Sequence, residues 1–358
     1  MMKKSKSILI IVILLLISIA GCVQNDTEKQ DETISSVLNV FNWDDYLAPN
    51  LTKHFEEQYN VTVNVFTFEE EGYMISELET NPGSYDFVIT SGSMVEELIA
   101  TKSLAKLNKD NIPNIKNIDQ TFLNRSFDPG NTYSIPYLWG TTGIAYNTSA
   151  ITTNISSWSI LWNKTFQDRI GMIDNKQEVI GAALKYLGYS LNPDNISQIY
   201  QAEQLLLDQK DIILGYFGSE ETISRLVSGN LSLAHCYSGD AYFASDMNEN
   251  ISYVIPSEGA AIWIDNMVIP VDSPHKTLAE LFINYILDPQ ISANITNYQW
   301  YANPNTAAEP FIDTEILETA GLYPSQDVLD QCEFFEPLPG NLVSEYNRIW
   351  SLLKTEIV

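Results

Sequence analysis

Between residues 37 and 100, short apolar runs alternate with amphipathic stretches, and this alternation restricts the fold more than any other feature of the chain. Residues 38–42 form a short apolar run, followed by a helical pattern over 47–58. Residues 61–68 alternate with period two, 73–79 have helical spacing, 85–90 read as a buried strand, and 93–100 are helical behind it. Strands separated by helices predict an α/β fold with a largely parallel sheet covered on both faces.

Around 133–147 the pattern changes, because Pro136, Gly140 and Gly143 interrupt an extended aromatic stretch. A second α/β set follows, with helical patterns over 180–187, 196–207 and 222–228. A further extended run, 262–270, precedes a helical pattern over 278–287. Two long extended segments flanking a self-contained unit predict two α/β lobes joined by two crossing strands. Lobe 1 is expected to comprise 37–140 and 267–309, and lobe 2 to comprise 141–266 and 310–358. A ligand is expected in the cleft between them, at strand ends and helix starts.

The N-terminus speaks to compartment. Lys3, Lys4 and Lys6 precede an apolar run over 8–20 that is short for a bilayer span and ends in small residues, as a secretory signal does. The segment Ile19-Ala20-Gly21-Cys22 resembles the lipobox of bacterial and archaeal lipoproteins. Residues 1–21 are therefore expected to be a signal peptide, Cys22 the lipidated residue, and 22–36 a polar tether. An uncleaved anchor is the alternative, and either arrangement leaves the remainder outside the membrane.

With 19 Lys+Arg against 46 Asp+Glu, the formal net charge is −27. Such a surface repels nucleic acid and anionic lipid and concentrates cations, although solubility alone accounts for much of it. Beyond Cys22 only Cys236 and Cys332 remain, without CxxC or Cys/His spacing, so neither zinc nor any other cofactor is expected. Asn-x-Ser/Thr sequons at Asn50, Asn124, Asn154 and Asn230 fit an Asn-rich composition and carry little weight. No GxSxG, P-loop, GxGxxG or HExxH occurs, and His54, His235 and His275 have no ligand spacing. Nothing in the sequence around Asp44 and Asp45 sets one apart as a general acid.

What recurs is an acid close to an aromatic residue. Trp43 precedes Asp44, Asp45 and Tyr46; Tyr237 precedes Asp240; Trp263 precedes Asp265; Phe335 precedes Glu336. Glu178 opens a helix after Asp174-Asn175, and Tyr301 follows Trp300 in a turn-rich segment. One such pair means little, since core tryptophans often adjoin surface acids. Repetition at strand ends suits an organic polycation, whose methylenes stack on rings and whose ammonium groups need carboxylates. A sugar site combines the same residue types.

Phe41-Asn42-Trp43-Asp44-Asp45-Tyr46 resembles the opening strand and loop of spermidine/putrescine-binding proteins, and Tyr85-Asp86-Phe87-Val88 with Ser91 is similar to their second strand and turn. Phe127-Asp128-Pro129 through Tyr133-Ser134-Ile135-Pro136-Tyr137-Leu138-Trp139-Gly140 is the most specific match. The residues at 158–162, Leu187-Gly188-Tyr189, Trp263-Ile264-Asp265 and Asn303-Pro304-Asn305 continue it in order to cover 37–358. The resemblance implies a type II periplasmic-binding-protein fold that closes on its ligand by hinge motion and performs no chemistry. It implies that Trp43, Tyr46, Trp263 and Tyr301 line the cleft, that Asp45, Glu178, Asp240 and Asp265 meet ammonium groups, and that Ser91 adds a hydroxyl. Asp44, Tyr237 and Glu336 complete the expected set. Asn175 stands where spermidine-type receptors have a carboxylate and Ser93 where they have a tyrosine. Asp45 and Tyr237-Ser238-Gly239-Asp240 match the putrescine-type pattern, with Tyr237 in place of a wall tryptophan. Putrescine is slightly favoured, with spermidine close behind. The expected partners are a polyamine, an ABC permease with its ATPase, and the membrane through the anchor; the protein is expected to be a monomer. Another organic cation, an opine or a sugar remains open as ligand, and a carbohydrate-active enzyme is the more distant alternative.

Overall fold

The computed structural model describes residues 36–44 and 46–355. The expected signal peptide, Cys22 and Asp45 lie outside the described residues. The chain begins with β1 (Val37–Trp43), α1 (Leu51–Tyr59), β2 (Thr62–Phe68), α2 (Glu71–Thr80), β3 (Phe87–Ser91) and α3 (Gly92–Ala100). Helix α1 starts later than its pattern suggested, because Pro49 and a left-handed Asn50 (φ 62°) precede it. A second left-handed residue, Asn60 (φ 54°), ends it.

The long strand β4 (Ser134–Asn147) follows, then β5 (Ile170–Ile173), α4 (Lys176–Tyr186), α5 (Ile196–Gln209), β6 (Gly215–Phe217) and α6 (Ser219–Val227). After these come β7 (Leu233–Tyr237), α7 (Ser238–Met247), β8 (Ile251–Val254), β9 (Ala261–Val268), α8 (Lys276–Ile286) and α9 (Pro289–Gln299). The chain closes through α10 (Thr314–Leu317), α11 (Gln326–Leu329), β10 (Glu333–Phe334) and α12 (Gly340–Lys354).

Among the described residues the strands run in the order β2-β1-β3-β9-β4-β7-β5-β6, with β10 beside β9 and β8 beside β4. Parallel pairing is confined to the two wings, β2-β1-β3 and β7-β5-β6, and to β10 against β9. At the centre β3-β9, β9-β4 and β4-β7 are antiparallel. The sheet is thus mixed rather than largely parallel, because β9, paired with β3 of one wing, and β4, paired with β7 of the other, run antiparallel to those neighbours and to each other. Two α/β lobes joined by two crossing strands is the fold that results.

Each wing has its own core. Leu38, Val40, Phe55, Phe87, Ile89 and Phe282 pack in one; Ile144, Trp158, Ile170, Met172, Ile180 and Tyr346 pack in the other. On the central strand β9, Ile262 and Ile264 join the first core, and Trp263 and Asp265 alternate with them.

The most specific sequence motif is scaffold. Asp128 is 2% exposed, and its Oδ2 accepts from the Tyr133 and Ser134 amides at 3.0 and 2.8 Å and from Ser134 Oγ at 2.8 Å. A buried carboxylate saturated by donors organises the entry into β4.

Candidate ligand-binding site

Strand register aligns the expected residues in one band across the sheet. Ser91 on β3 lies opposite Asp265 on β9, Trp263 on β9 opposite Gly140 on β4, and Thr142 on β4 opposite Tyr237 on β7. Residues two apart on a strand share a face, so Asp265 with Trp263, and Gly140 with Thr142, present to the same side.

On this band stands a chain of edge-to-face rings. Tyr46 and Tyr301 have centroids 5.9 Å apart at 79°, Tyr301 and Trp263 5.1 Å apart at 86°, and Trp263 and Tyr237 5.8 Å apart at 75°. Two glycines make room for it. A Cβ on Gly140 would lie 2.4 Å from Trp263 Cζ2, and one on Gly239 would lie 1.9 Å from Tyr301 Cε1. The glycines of the Trp139-Gly140 and Ser238-Gly239 pairs are therefore required by the rings they face, not by backbone conformation.

Three acids sit among the rings. The Tyr46 hydroxyl donates to Asp265 Oδ2 at 2.7 Å, Tyr301 donates to Asp240 Oδ1 at 3.1 Å, and Thr142 donates to Glu178 Oε1 at 2.9 Å. Burial raises all three pKa values: Asp265 to about 7, Asp240 to about 6 and Glu178 to about 8. The Tyr46 bond restrains the rise at Asp265, the Ser219 and Tyr301 bonds that at Asp240, and the Thr142 bond that at Glu178. None of the ion pairs among the described residues involves any of the three. Asp240 lies in the first turn of α7 and Glu178 in that of α4, where the helix dipole favours a carboxylate.

The other expected residues divide. Trp43 packs on Phe68 with centroids 4.6 Å apart, and its indole Nε1 is buried without a partner. Asp44 is exposed. Ser91 Oγ accepts from Met94 N at 3.4 Å, so this hydroxyl caps α3. Asn175 caps α4 through Gln177 N and Glu178 N, which gives the missing carboxylate at that position a structural substitute. Glu336 faces Arg125 at 3.5 Å, and the guanidinium stacks over Phe334 at 3.8 Å, so this acid already has a cation.

Glu71 was not singled out in the sequence, yet its carboxylate accepts from Ser91 N and Thr90 Oγ1, both at 3.0 Å, at the β3 end of the band. Phe68-Glu69-Glu70-Glu71-Gly72-Tyr73 carries the same acid–aromatic signature as the other sites and could have revealed it.

Residues 50–320 match the model of the bacterial extracellular solute-binding protein family. The chain is 32% identical over 361 residues to the putrescine-binding periplasmic protein SpuD of Pseudomonas aeruginosa, covering 96% of this chain and 97% of the relative. Its fold is similar to that of the spermidine/putrescine ABC transporter substrate-binding protein PotD of Streptococcus pneumoniae, with TM-score 0.84 and 31% identity over 90% of this chain and 100% of that one. The TpPotD lipoprotein of Treponema pallidum is similar at TM-score 0.80 and 29% identity, over 88% of this chain and 99% of that one.

Proposed function

The chain belongs to the bacterial extracellular solute-binding protein family, and on that premise we propose that it captures a polyamine outside the cell and delivers it to an ABC importer. The observation that carries this reading is the set of three carboxylates, buried Asp240 and Glu178 and half-buried Asp265, each accepting from a hydroxyl and none paired with a cation among the described residues. Isolated buried acids are costly, and an ammonium entering between the rings offsets that cost by charge-assisted hydrogen bonds. The methylenes of the same ligand would contact Trp263, Tyr301 and Tyr237. A neutral sugar could satisfy the hydrogen bonds but would leave the charges unmatched, which disfavours the sugar reading.

In this reading the protein performs no chemistry, and the lobes part and close about β4 and β9, with boundaries near 140 and 266. Trp43, Tyr46, Trp263 and Tyr301 line the cleft, Asp44 and Asp45 add acids to the set, and Ser91 and Glu336 contribute from its periphery. The mature protein begins at Cys22, which carries the lipid, acts as a monomer and reaches its permease on the tether of 22–36. The lipoprotein among its structural relatives supports that arrangement. A calorimetric panel of putrescine, cadaverine, agmatine, spermidine and spermine against neutral sugars tests the ligand class. Binding of a sugar and of no amine overturns it. For the anchor, Cys22→Ser should abolish partition into detergent, and equal partition of both forms would remove the lipid from the account.

A further inference from the structure

Glu71 is the first residue of α2 and follows two exposed acids, Glu69 and Glu70. Of the three it alone is partly buried, turned onto the end of β3 by the Ser91 amide and the Thr90 hydroxyl. Both bonds fall on Oε1, and Oε2 has no protein partner among the described residues. Ser91 is the register partner of Asp265, so a fourth carboxylate is anchored beside the strand position that faces Asp265. Its charge contributes to raising the pKa of Asp265 and also that of Tyr237, at the opposite end of the band. Glu71 therefore lies within electrostatic reach of both ends of the band.

We infer that Glu71 is a specificity residue of the polyamine site, supplying the additional negative charge that makes a triamine such as spermidine the preferred ligand over a diamine. This rests on the polyamine reading and narrows it. Glu71 adds a carboxylate at the β3 end of the band to Asp265, Asp240 and Glu178 along it. A diamine brings two positive charges to this acidic band, and a triamine brings a third that sits against Glu71. A like-charge neighbour without a counter-ion beside Asp265 is unfavourable, and a third ammonium removes that penalty.

The test uses Glu71→Gln, whose amide oxygen can still accept from Ser91 N and Thr90 Oγ1, titrated with putrescine and spermidine at neutral pH and moderate salt. Wild type should bind spermidine roughly tenfold or more tighter than putrescine, and the variant should lose about that factor for spermidine while changing less than about threefold for putrescine. N-acetylspermidine on wild type provides a second measurement that needs no mutation, since acetylation removes one charge and keeps the chain. It should bind about as weakly as spermidine does to the variant. An unchanged spermidine-to-putrescine ratio in Glu71→Gln, or equal loss for both ligands, overturns the assignment. If wild type binds neither amine, the polyamine reading itself fails, an outcome distinct from a wild type that binds both without preference.

Discussion

The Tyr46 hydroxyl and Asp265 Oδ2, 219 positions apart in sequence, meet at 2.7 Å. This bond ties the turn after β1 to the crossing strand β9, while the Tyr46 carbonyl accepts from the Tyr137 hydroxyl at 2.8 Å on β4. One tyrosine thus links the first wing to both crossing strands. It is also the only hydrogen-bond donor to Asp265 from a side chain among the described residues.

Tyr46→Phe removes that donor and keeps the ring. Hydrogen bonds to a charged group contribute roughly 1.5–3 kcal/mol, so polyamine affinity at pH 7 should fall about tenfold. Without the bond the pKa of Asp265 rises further, so the deficit should be greater at pH 6 than at pH 9. Titration calorimetry at both pH values checks this; an equal deficit at the two would mean the bond does not control the charge of Asp265.

Asp265, Asp240 and Glu178 are raised to about 7, 6 and 8 by burial. In the free protein their protonated forms contribute stability that is fully present below pH ~4 and is lost as pH rises through 6–8. The melting temperature without ligand should therefore decline over that range. A cation favours the ionised forms, so binding should release protons near pH 7 and tighten as pH rises to about 8.5. Calorimetry in buffers of differing ionisation heat measures the release, and zero release would show that these groups are already ionised.

Gly239→Ala places a methyl group 1.9 Å from Tyr301 Cε1, which cannot be accommodated without moving the ring. Overpacking of this kind costs about 1–3 kcal/mol, and displacement of Tyr301 also breaks its bond to Asp240. Both thermal stability and affinity should drop, with affinity falling roughly tenfold or more. A variant that loses stability alone would show that Tyr301 does not contact the ligand.

Trp263 stands between Tyr237 and Tyr301 in the ring chain. Trp263→Ala should weaken polyamine binding by roughly 2 kcal/mol or more, as expected for a desolvated aromatic anchor. Polyamine addition to wild type should perturb tryptophan fluorescence, and this response should diminish in the variant. Unchanged affinity would place the ligand elsewhere.

Much of this arrangement was legible before the fold was known. Acids near aromatics at strand ends identified Trp263 with Asp265 and Tyr237 with Asp240, because strand periodicity puts such residues where a sheet meets its loops. The two crossing strands were legible as long extended runs. Their direction was not, since antiparallel pairing of β4 with β9 is decided by contacts between residues as distant as Ser134 and Val268. The start of α1 was obscured because apolar spacing around Leu47 continues through Pro49 and Asn50, where the backbone cannot. Local sequence also does not show that the Ser91 hydroxyl and the Asn175 amide oxygen each cap a helix start. Glu71 escaped notice because Glu69 and Glu70 beside it are surface residues, and only the β3 terminus selects which acid turns inward.

The central claim is that buried carboxylates on this band hold the ammonium groups of a polyamine, and Asp265→Asn tests it most directly, since asparagine keeps the shape and removes the charge. Titrated with putrescine and spermidine at pH 8, the folded variant should bind about a hundredfold or more weakly than wild type, a loss of roughly 3 kcal/mol. If Asp265→Asn melts cooperatively and binds both amines as tightly as wild type, the ligand does not sit on Asp265 and the site assigned here is contradicted.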